Sequence, residues 1–142
     1  MHLTITHRRH LDLAVVVLAG EIDVATSAHL RENLARLVAS GARHLILDLR
    51  AVPLIDSGGL GVLLALHNHL QARHGSVTLA GVNRGVRVVL RDTQLTRVFP
   101  IYASVDVAIH AHQATQATQA TQAGHQPTAA PRTTHDHGLG GF

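Results

Sequence analysis

Residues 45–70 constrain the fold of this chain more than any other segment. They begin with a short apolar run at 45–49, pass through a loop that contains Asp56 and Ser57, and continue almost at once into a long apolar segment. The short run is typical of a buried strand, whereas the leucines of the later segment recur at helical spacing. The sequence therefore predicts a strand, a loop and a helix in immediate succession, with Ser57 at the helix N-terminus.

A serine at that junction has its hydroxyl beside unpaired backbone N–H groups, where the helix dipole favours negative charge. Such a hydroxyl can be a helix cap, a nucleophile or a site of phosphorylation. Serine hydrolases use a Gly-x-Ser-x-Gly turn, but Ile55 stands where that motif has glycine, and no histidine is placed by the sequence to act as the base. A serine hydrolase is therefore the weaker alternative, and both capping and phosphorylation stay open.

Strand and helix patterns alternate along residues 1–111. Further strands are predicted from alternating or Val-rich apolar runs at residues 3–7, 13–18, 77–80 and 98–102, with a polar turn at 7–12. Further helices are predicted from apolar residues at helical spacing at about 25–40, 83–92 and 104–110. Pro100 cannot donate a hydrogen bond inside a sheet, so the last strand is expected at an edge. This order implies an α/β sandwich with a mixed sheet of about four to five strands and about four helices.

The composition changes sharply near the end of the chain. Residues 113–121 are Gln-Ala-Thr repeats, and the residues after them are mostly Gly, Pro, Thr, Ala and His. Such a segment buries too little apolar surface to offset the entropy that ordering costs. We therefore expect one domain at 1–111 and a disordered low-complexity tail at 112–142, although the last helix could extend into the repeats.

Composition also narrows the class of function. The arginines are spread among the acidic residues, and aromatic residues make up 2% of the chain, so we expect no nucleic acid partner. No segment approaches the ~18–20 apolar residues of a membrane span. Cysteine is absent, which fits a reducing, cytoplasmic location. An apolar run after Arg8 and Arg9 resembles a short export signal, but a buried strand explains the same residues.

The thirteen histidines raise the question of a metal site. His67 and His69 are two positions apart on a predicted helix and therefore point to different faces, and no His-Glu-x-x-His pattern occurs. His110, His112 and the later histidines lie at or in the predicted tail. We therefore predict no metal and no other cofactor, and expect at most adventitious binding of metal by the tail.

Several short motifs follow one another along residues 1–110. They are Gly20-Glu21-Ile22-Asp23, Leu47-Asp48-Leu49, Ile55-Asp56-Ser57-Gly58-Gly59-Leu60-Gly61 and Leu95-Thr96-Arg97-Val98-Phe99. In order and spacing they resemble the STAS-domain family, and most of all its stand-alone bacterial anti-sigma factor antagonists, also called anti-anti-sigma factors. The resemblance implies a STAS-like α/β sandwich and a regulatory protein instead of an enzyme.

The resemblance also implies a switch. In that family the serine after the loop aspartate is phosphorylated by the cognate anti-sigma factor, a serine kinase, and Ser57 holds that position. The unphosphorylated antagonist binds the anti-sigma factor and releases the sigma factor, the phosphorylated form does not bind, and a separate phosphatase resets the switch. The implied partner-binding residues are Asp23, Asp56, Ser57, Gly58, Gly59, Leu60 and Gly61. Asp56 would orient the hydroxyl or help to position the magnesium nucleotide of the kinase.

Gly58 departs from the family pattern, which usually has a second hydroxyl residue there. The phosphoacceptor is retained, but a nearby alternative acceptor is missing, and we expect a more flexible loop. Simpler roles also exist, because Asp23 could cap the first helix, while Gly58 and Gly59 could merely close a tight turn. The alternative function is a STAS module that does not switch, such as a scaffold or a subunit of a transport system.

Overall fold

The computed structural model describes residues 2–124, and it confirms the predicted α/β sandwich with a mixed sheet. Its elements are, in order, β1 (Leu3–His10), β2 (Leu13–Gly20), α1 (Ser27–Ala39), β3 (His44–Ala51), α2 (Ser57–Gln71), β4 (Ser76–Ala80), α3 (Arg84–Asp92), a 3-10 helix (Leu95–Arg97), β5 (Ile101–Tyr102) and α4 (Val105–Gly124). None of the helices in this range is both long and apolar enough to span a membrane.

The sheet has five strands in the order β1-β2-β3-β4-β5. β1 runs antiparallel to β2, and the remaining neighbours are parallel. β5 is an edge strand, as Pro100 predicts, and is shorter than predicted because residues 98–100 form the turn that connects the 3-10 helix to it. The carbonyl of Pro100 accepts a hydrogen bond from Leu79 N at 2.9 Å, the one backbone role in a sheet that proline retains.

The two faces of the sheet are covered unequally. Alternate residues of β3 point to opposite faces, so Leu45, Leu47 and Leu49 join the larger core, beneath α1, α2 and α3, while Ile46 joins a smaller cluster beneath α4. The buried residues of α1 and α2 recur at three- and four-residue spacing, which is the stripe that makes each segment a packed helix.

The predicted polar turn at 7–12 is wrong, because β1 continues to His10. Arg8 pairs with Val15 and His10 with Leu13, so the polar residues remain in the antiparallel ladder. The turn is confined to Leu11 and Asp12, and Leu11 has a φ of 58°. Strand β1 lies at the edge of the sheet, where polar side chains are tolerated and their backbone can still pair.

The last helix is longer than predicted. It runs to Gly124 instead of ending near His110, so the predicted domain boundary at 111 falls inside α4. Alanine and glutamine are good helix formers, and Thr115 Oγ1 and Thr118 Oγ1 donate to carbonyls one turn earlier at 3.1 and 3.0 Å. Of the predicted disordered tail, residues 112–124 are therefore helical, and residues 125–142 lie outside the described residues.

Candidate functional site

Two loops are joined by backbone hydrogen bonds at the carboxyl end of the sheet. Since β2 and β3 are parallel neighbours, their C-terminal ends meet at the same edge, and Ile22 forms an isolated parallel bridge with Ile55. Ile22 N donates to Leu54 O at 3.1 Å, and Asp56 N donates to Ile22 O at 3.0 Å. Both isoleucines are almost fully buried. This arrangement fixes the segment after β2 beside the start of α2.

Asp56, not Ser57, caps α2. Asp56 Oδ1 accepts hydrogen bonds from Gly58 N at 2.8 Å and from Gly59 N at 3.3 Å. Ser57 is the first residue of α2, which is the position that the sequence predicts for it. Its side chain is exposed. Among residues 2–124, Ser57 Oγ has no hydrogen-bond partner. The hydroxyl is therefore accessible at a helix N-terminus whose amides are bound by a neighbouring carboxylate.

The glycines after Ser57 differ in what surrounds them. A Cβ atom on Gly59 would clash with the Ile22 side chain and lie 2.9 Å from its carbonyl oxygen, so only glycine fits there. On Gly58 it would lie 3.0 Å from Val24 Cα and Cγ2, tighter than an ordinary contact. On Gly61 it would meet nothing within 4 Å. The departure from the family pattern at Gly58 thus coincides with a close approach of the loop after β2.

Asp23 organises the turn between β2 and α1. Its Oδ1 accepts from Thr26 N at 2.9 Å, and its backbone N donates to Thr26 Oγ1 at 3.0 Å. The hydroxyl of Thr26 also bonds to Glu21 O at 2.9 Å, and Thr26 is 5% exposed. Asp23 therefore closes the turn before α1 but does not cap that helix, whose N-cap residue is Thr26, and it remains partly exposed next to Val24.

The structure divides the predicted partner-binding residues into two groups. Gly59 and Leu60 are buried, and Gly59 packs against Ile22 and Ile55. The exposed or partly exposed residues of the prediction are Asp23, Asp56, Ser57, Gly58 and Gly61.

Sequence reasoning missed two residues of this surface, Val24 and Leu54. They are 70% and 49% exposed, and they lie on the two loops that the Ile22–Ile55 bridge joins. A large apolar side chain inside a predicted turn is a signal that the sequence did offer. Together with the exposed part of the prediction they form a surface, the switch face, made up of Asp23, Val24, Leu54, Asp56, Ser57, Gly58 and Gly61.

Other motif residues lie away from the switch face. Asp48, although buried at 2%, is on the sheet face opposite α1 and α2 and pairs with the exposed Arg50 at 3.1 Å. The hydrogen bond and charge of Asp48 raise the pKa of Arg50. Within residues 2–124, no three His, Asp or Glu side chains lie close enough together to hold a metal ion. The hydrogen-bond partner of Asp48 is therefore Arg50 of its own strand, away from Ser57 and its neighbours.

Comparisons with known proteins agree on the family. A family model described as the STAS domain matches residues 4–108. The anti-sigma F factor antagonist of Paenibacillus polymyxa is 30% identical over 103 residues, which cover 72% of this chain and 88% of that protein.

Solved structures of similar proteins agree with the sequence comparisons. A crystal structure of an anti-sigma factor antagonist from Mycobacterium paratuberculosis has a TM-score of 0.71 and 29% identity, covering 78% of this chain and 93% of that one. The unphosphorylated form of the antagonist SpoIIAA has the same fold, with a TM-score of 0.70 and 22% identity over 78% of this chain and 97% of that one. This chain therefore belongs to the STAS domain family, and the relatives most similar to it in these comparisons are anti-sigma factor antagonists.

Proposed function

We propose that this protein is an anti-sigma factor antagonist that switches partners through phosphorylation of Ser57. The unphosphorylated protein binds a cognate anti-sigma factor, which is also a serine kinase, and the sigma factor is released. Phosphorylation ends that binding, and a phosphatase restores it. One observation carries the proposal: Ser57 is the exposed first residue of α2, with its hydroxyl unbonded within residues 2–124 because Asp56 supplies the cap. The role is regulatory, with no reaction catalysed by this chain.

The phosphoryl transfer uses groups from both proteins. The Ser57 oxygen attacks the γ-phosphorus of ATP bound to the kinase, the bond from that phosphorus to the bridging oxygen breaks, and ADP leaves while the hydroxyl proton passes to a base of the kinase. Asp56 Oδ1 is held by two amides, whereas Oδ2 accepts no hydrogen bond from residues 2–124. Oδ2 is therefore the atom that can approach the magnesium nucleotide.

The phosphate acts on the partner and leaves the fold unchanged. It brings a charge of about −1.5 to −2, which the N-terminus of α2 favours by about 0.3–1 kcal/mol at an exposed site. Val24 and Leu54 are exposed apolar residues, Val24 against Gly58 and Leu54 three residues before Ser57 in the same loop, and we expect a partner that packs on them to cover position 57 as well. Covering an unpaired phosphate costs desolvation, and about 1.4 kcal/mol already lowers affinity tenfold.

The decisive experiment combines mass spectrometry with binding. The protein is incubated with ATP and the candidate anti-sigma kinase, and phosphate is mapped by mass spectrometry in the wild type, Ser57→Ala and Thr4→Ala. We expect phosphate on Ser57 in the wild type and in Thr4→Ala, whose exposed threonine lies on β1 and serves as the matched control. Phosphate found only on the threonines of residues 113–142 contradicts the proposal.

Binding tests the charge mechanism separately. Ser57→Ala should bind the anti-sigma factor whether or not ATP is present, because it cannot be phosphorylated. Ser57→Glu should bind at least about tenfold more weakly, since it places a permanent negative charge on the side chain of residue 57. Equal affinities of the two variants, measured by calorimetry, would refute this mechanism. Hydrolysis of an activated ester that disappears in Ser57→Ala would favour a hydrolase instead.

A further inference from the structure

Two histidines from distant parts of the chain meet on the sheet face that α4 covers. The ring centroids of His44, at the start of β3, and His112, on α4, are 4.8 Å apart and their planes are inclined by 52°. His44 Nδ1 lies 2.8 Å from Ser76 Oγ on β4. Both rings line an open cavity of about 260 Å³ between α4 and the sheet. After His112, residues 113–119 are exposed, so the ring pair lies where α4 leaves the sheet.

Helix α4 is held to the sheet by little else. Ala108 is its one fully buried residue among those described, and it packs with Val15, Ile46 and Ala80. Val105 and Ile109 are only partly buried against that cluster. By contrast, α1 buries three leucines in the larger core. A helix with so small a buried surface opens at lower free energy than the rest of the domain.

The charges around the ring pair oppose its protonation, with one exception. Burial lowers the pKa of His44, and the charge of His112 and that of Arg43 lower it further. Burial also lowers the pKa of His112. The negative charge of Asp12 instead acts to raise the pKa of both rings. The backbone carbonyl of Asp12 also accepts a hydrogen bond from His44 N at 3.0 Å. His74 and Tyr102 line the same cavity.

We propose that His44 and His112 form a proton-sensitive clasp that holds α4 on the sheet while both rings are neutral and releases it in mild acid. Asp12 offsets the first proton, but the second must enter beside a charged ring 4.8 Å away. A released helix relieves that repulsion by separating the two rings. Release uncovers the strand residues Val15, Ile46 and Ala80, and it leaves the core beneath α1 and α2 intact.

The direction of the pH dependence follows from linkage. Once α4 has left the sheet, the two rings are apart and the burial imposed by α4 is gone, so the pKa of each histidine is higher in the detached state than in the docked state. At a pH between the docked-state and detached-state pKa values, the detached state therefore binds more protons. Docking accordingly becomes more favourable as the pH rises. Docking is therefore strongest above about pH 6.5, the ordinary pKa of histidine. It weakens as the pH falls through the lowered pKa values of His44 and His112, which titrate as a coupled pair.

Hydrogen exchange of the full chain tests the clasp. Exchange of α4 amides in residues 108–116 is compared at about pH 7.5 and about pH 5, after correction for the intrinsic pH dependence of exchange. We expect the protection of these amides to fall at least about tenfold in acid, while the amides of α1 change much less. Equal α4 protection at the two pH values would overturn the proposal.

Variants assign the effect to the ring pair. His112→Phe keeps an aromatic ring against His44 but removes one of the two titratable groups, so α4 should lose much less protection in acid than it does in the wild type. His110→Gln is the matched control on the same helix, because His110 is exposed and outside the pair. In this variant, the amides of α4 should lose as much protection in acid as they do in the wild type. In His112→Phe the pKa of His44, followed by NMR of the imidazole, should rise because the second charge is gone. An unchanged loss of protection in His112→Phe contradicts the assignment.

Discussion

Three glycines in the first turns of α2 have three different surroundings. Gly59 lies against Ile22 and Ile55 beneath the surface, Gly58 lies against the backbone of Val24, and Gly61 faces open space. The sequence presents them as equivalent members of one motif. Of the three, only Gly59 has no room for a side chain, because the carbonyl oxygen of the buried Ile22 lies where a Cβ atom would be.

Gly59→Ala and Gly61→Ala should therefore have opposite effects on stability. Gly59→Ala forces the bridge between Ile22 and Ile55 apart and should lower the free energy of unfolding by about 1–3 kcal/mol. Gly61→Ala removes only the entropic cost of glycine in a helix and should raise it by roughly 0.5–1 kcal/mol. Urea unfolding of both variants measures the difference. If Gly59→Ala proved as stable as Gly61→Ala, the close packing described for Gly59 would be wrong.

The position of Ser57 could be predicted from sequence, but its hydrogen bonding could not. The change from strand pattern to helix pattern fixes where α2 begins to within a residue or two. Aspartate and serine are both favoured caps, and they are adjacent in this loop, so residue type alone does not choose between Asp56 and Ser57. The choice depends on the extended backbone of Asp56, with φ −117° and ψ −171°, which aims its carboxylate at the amides of Gly58 and Gly59.

At the scale of the element, α2 depends on Asp56 for its N-terminus. Asp56→Ala removes the acceptor of two amides and should lower the free energy of unfolding by about 0.5–2 kcal/mol. Asp56→Asn keeps an acceptor oxygen and should cost little stability, because asparagine caps about as well as aspartate. Thermal unfolding of the two variants measures how much the side-chain cap contributes to stability.

The same pair of variants separates capping from catalysis of the phosphoryl transfer. Asp56→Asn should slow phosphorylation of Ser57 by the kinase although α2 remains capped, because it removes the negative charge proposed to approach the magnesium nucleotide. An unaltered initial rate with Asp56→Asn would show that Asp56 serves the helix alone.

Elements that carry apolar patterns were predictable, and those that depend on their neighbours were not. Helices α1 and α2 and the central strands follow from periodicity alone. The second half of β1 is polar and is a strand only because β2 pairs with it. Helix α4 beyond His110 has no stripe of large apolar residues, and its helical state rests on the propensity of Ala and Gln, while the threonine hydroxyls bond to carbonyls within the helix.

At the scale of the whole molecule, the switch face is confined to the carboxyl end of β2 and β3. Val24→Asp and Leu54→Asp should each weaken binding of the anti-sigma factor at least about tenfold, since a charge there must be desolvated against the partner. Their free energies of unfolding should change by no more than about 0.5 kcal/mol because both side chains are exposed.

Leu11→Asp is the control for this prediction. Leu11 is 79% exposed but precedes β2, at the opposite end of that strand, so its affinity for the anti-sigma factor should equal that of the wild type. Calorimetric titration of the partner into each variant gives the comparison. Wild-type affinity in both Val24→Asp and Leu54→Asp would place the interface elsewhere on the molecule.

The bridge between Ile22 and Ile55 has a consequence for how such proteins diverge. It joins the two loops through backbone atoms of Ile22, Leu54 and Asp56, and it uses no side-chain atom of Val24 or Leu54. On the proposed function, substitutions at those two positions would alter partner choice while the backbone hydrogen bonds that place Asp56 beside Ile22 are retained. Under that proposal, a duplicated gene would acquire a different partner by exchange of two exposed residues, with little effect on folding.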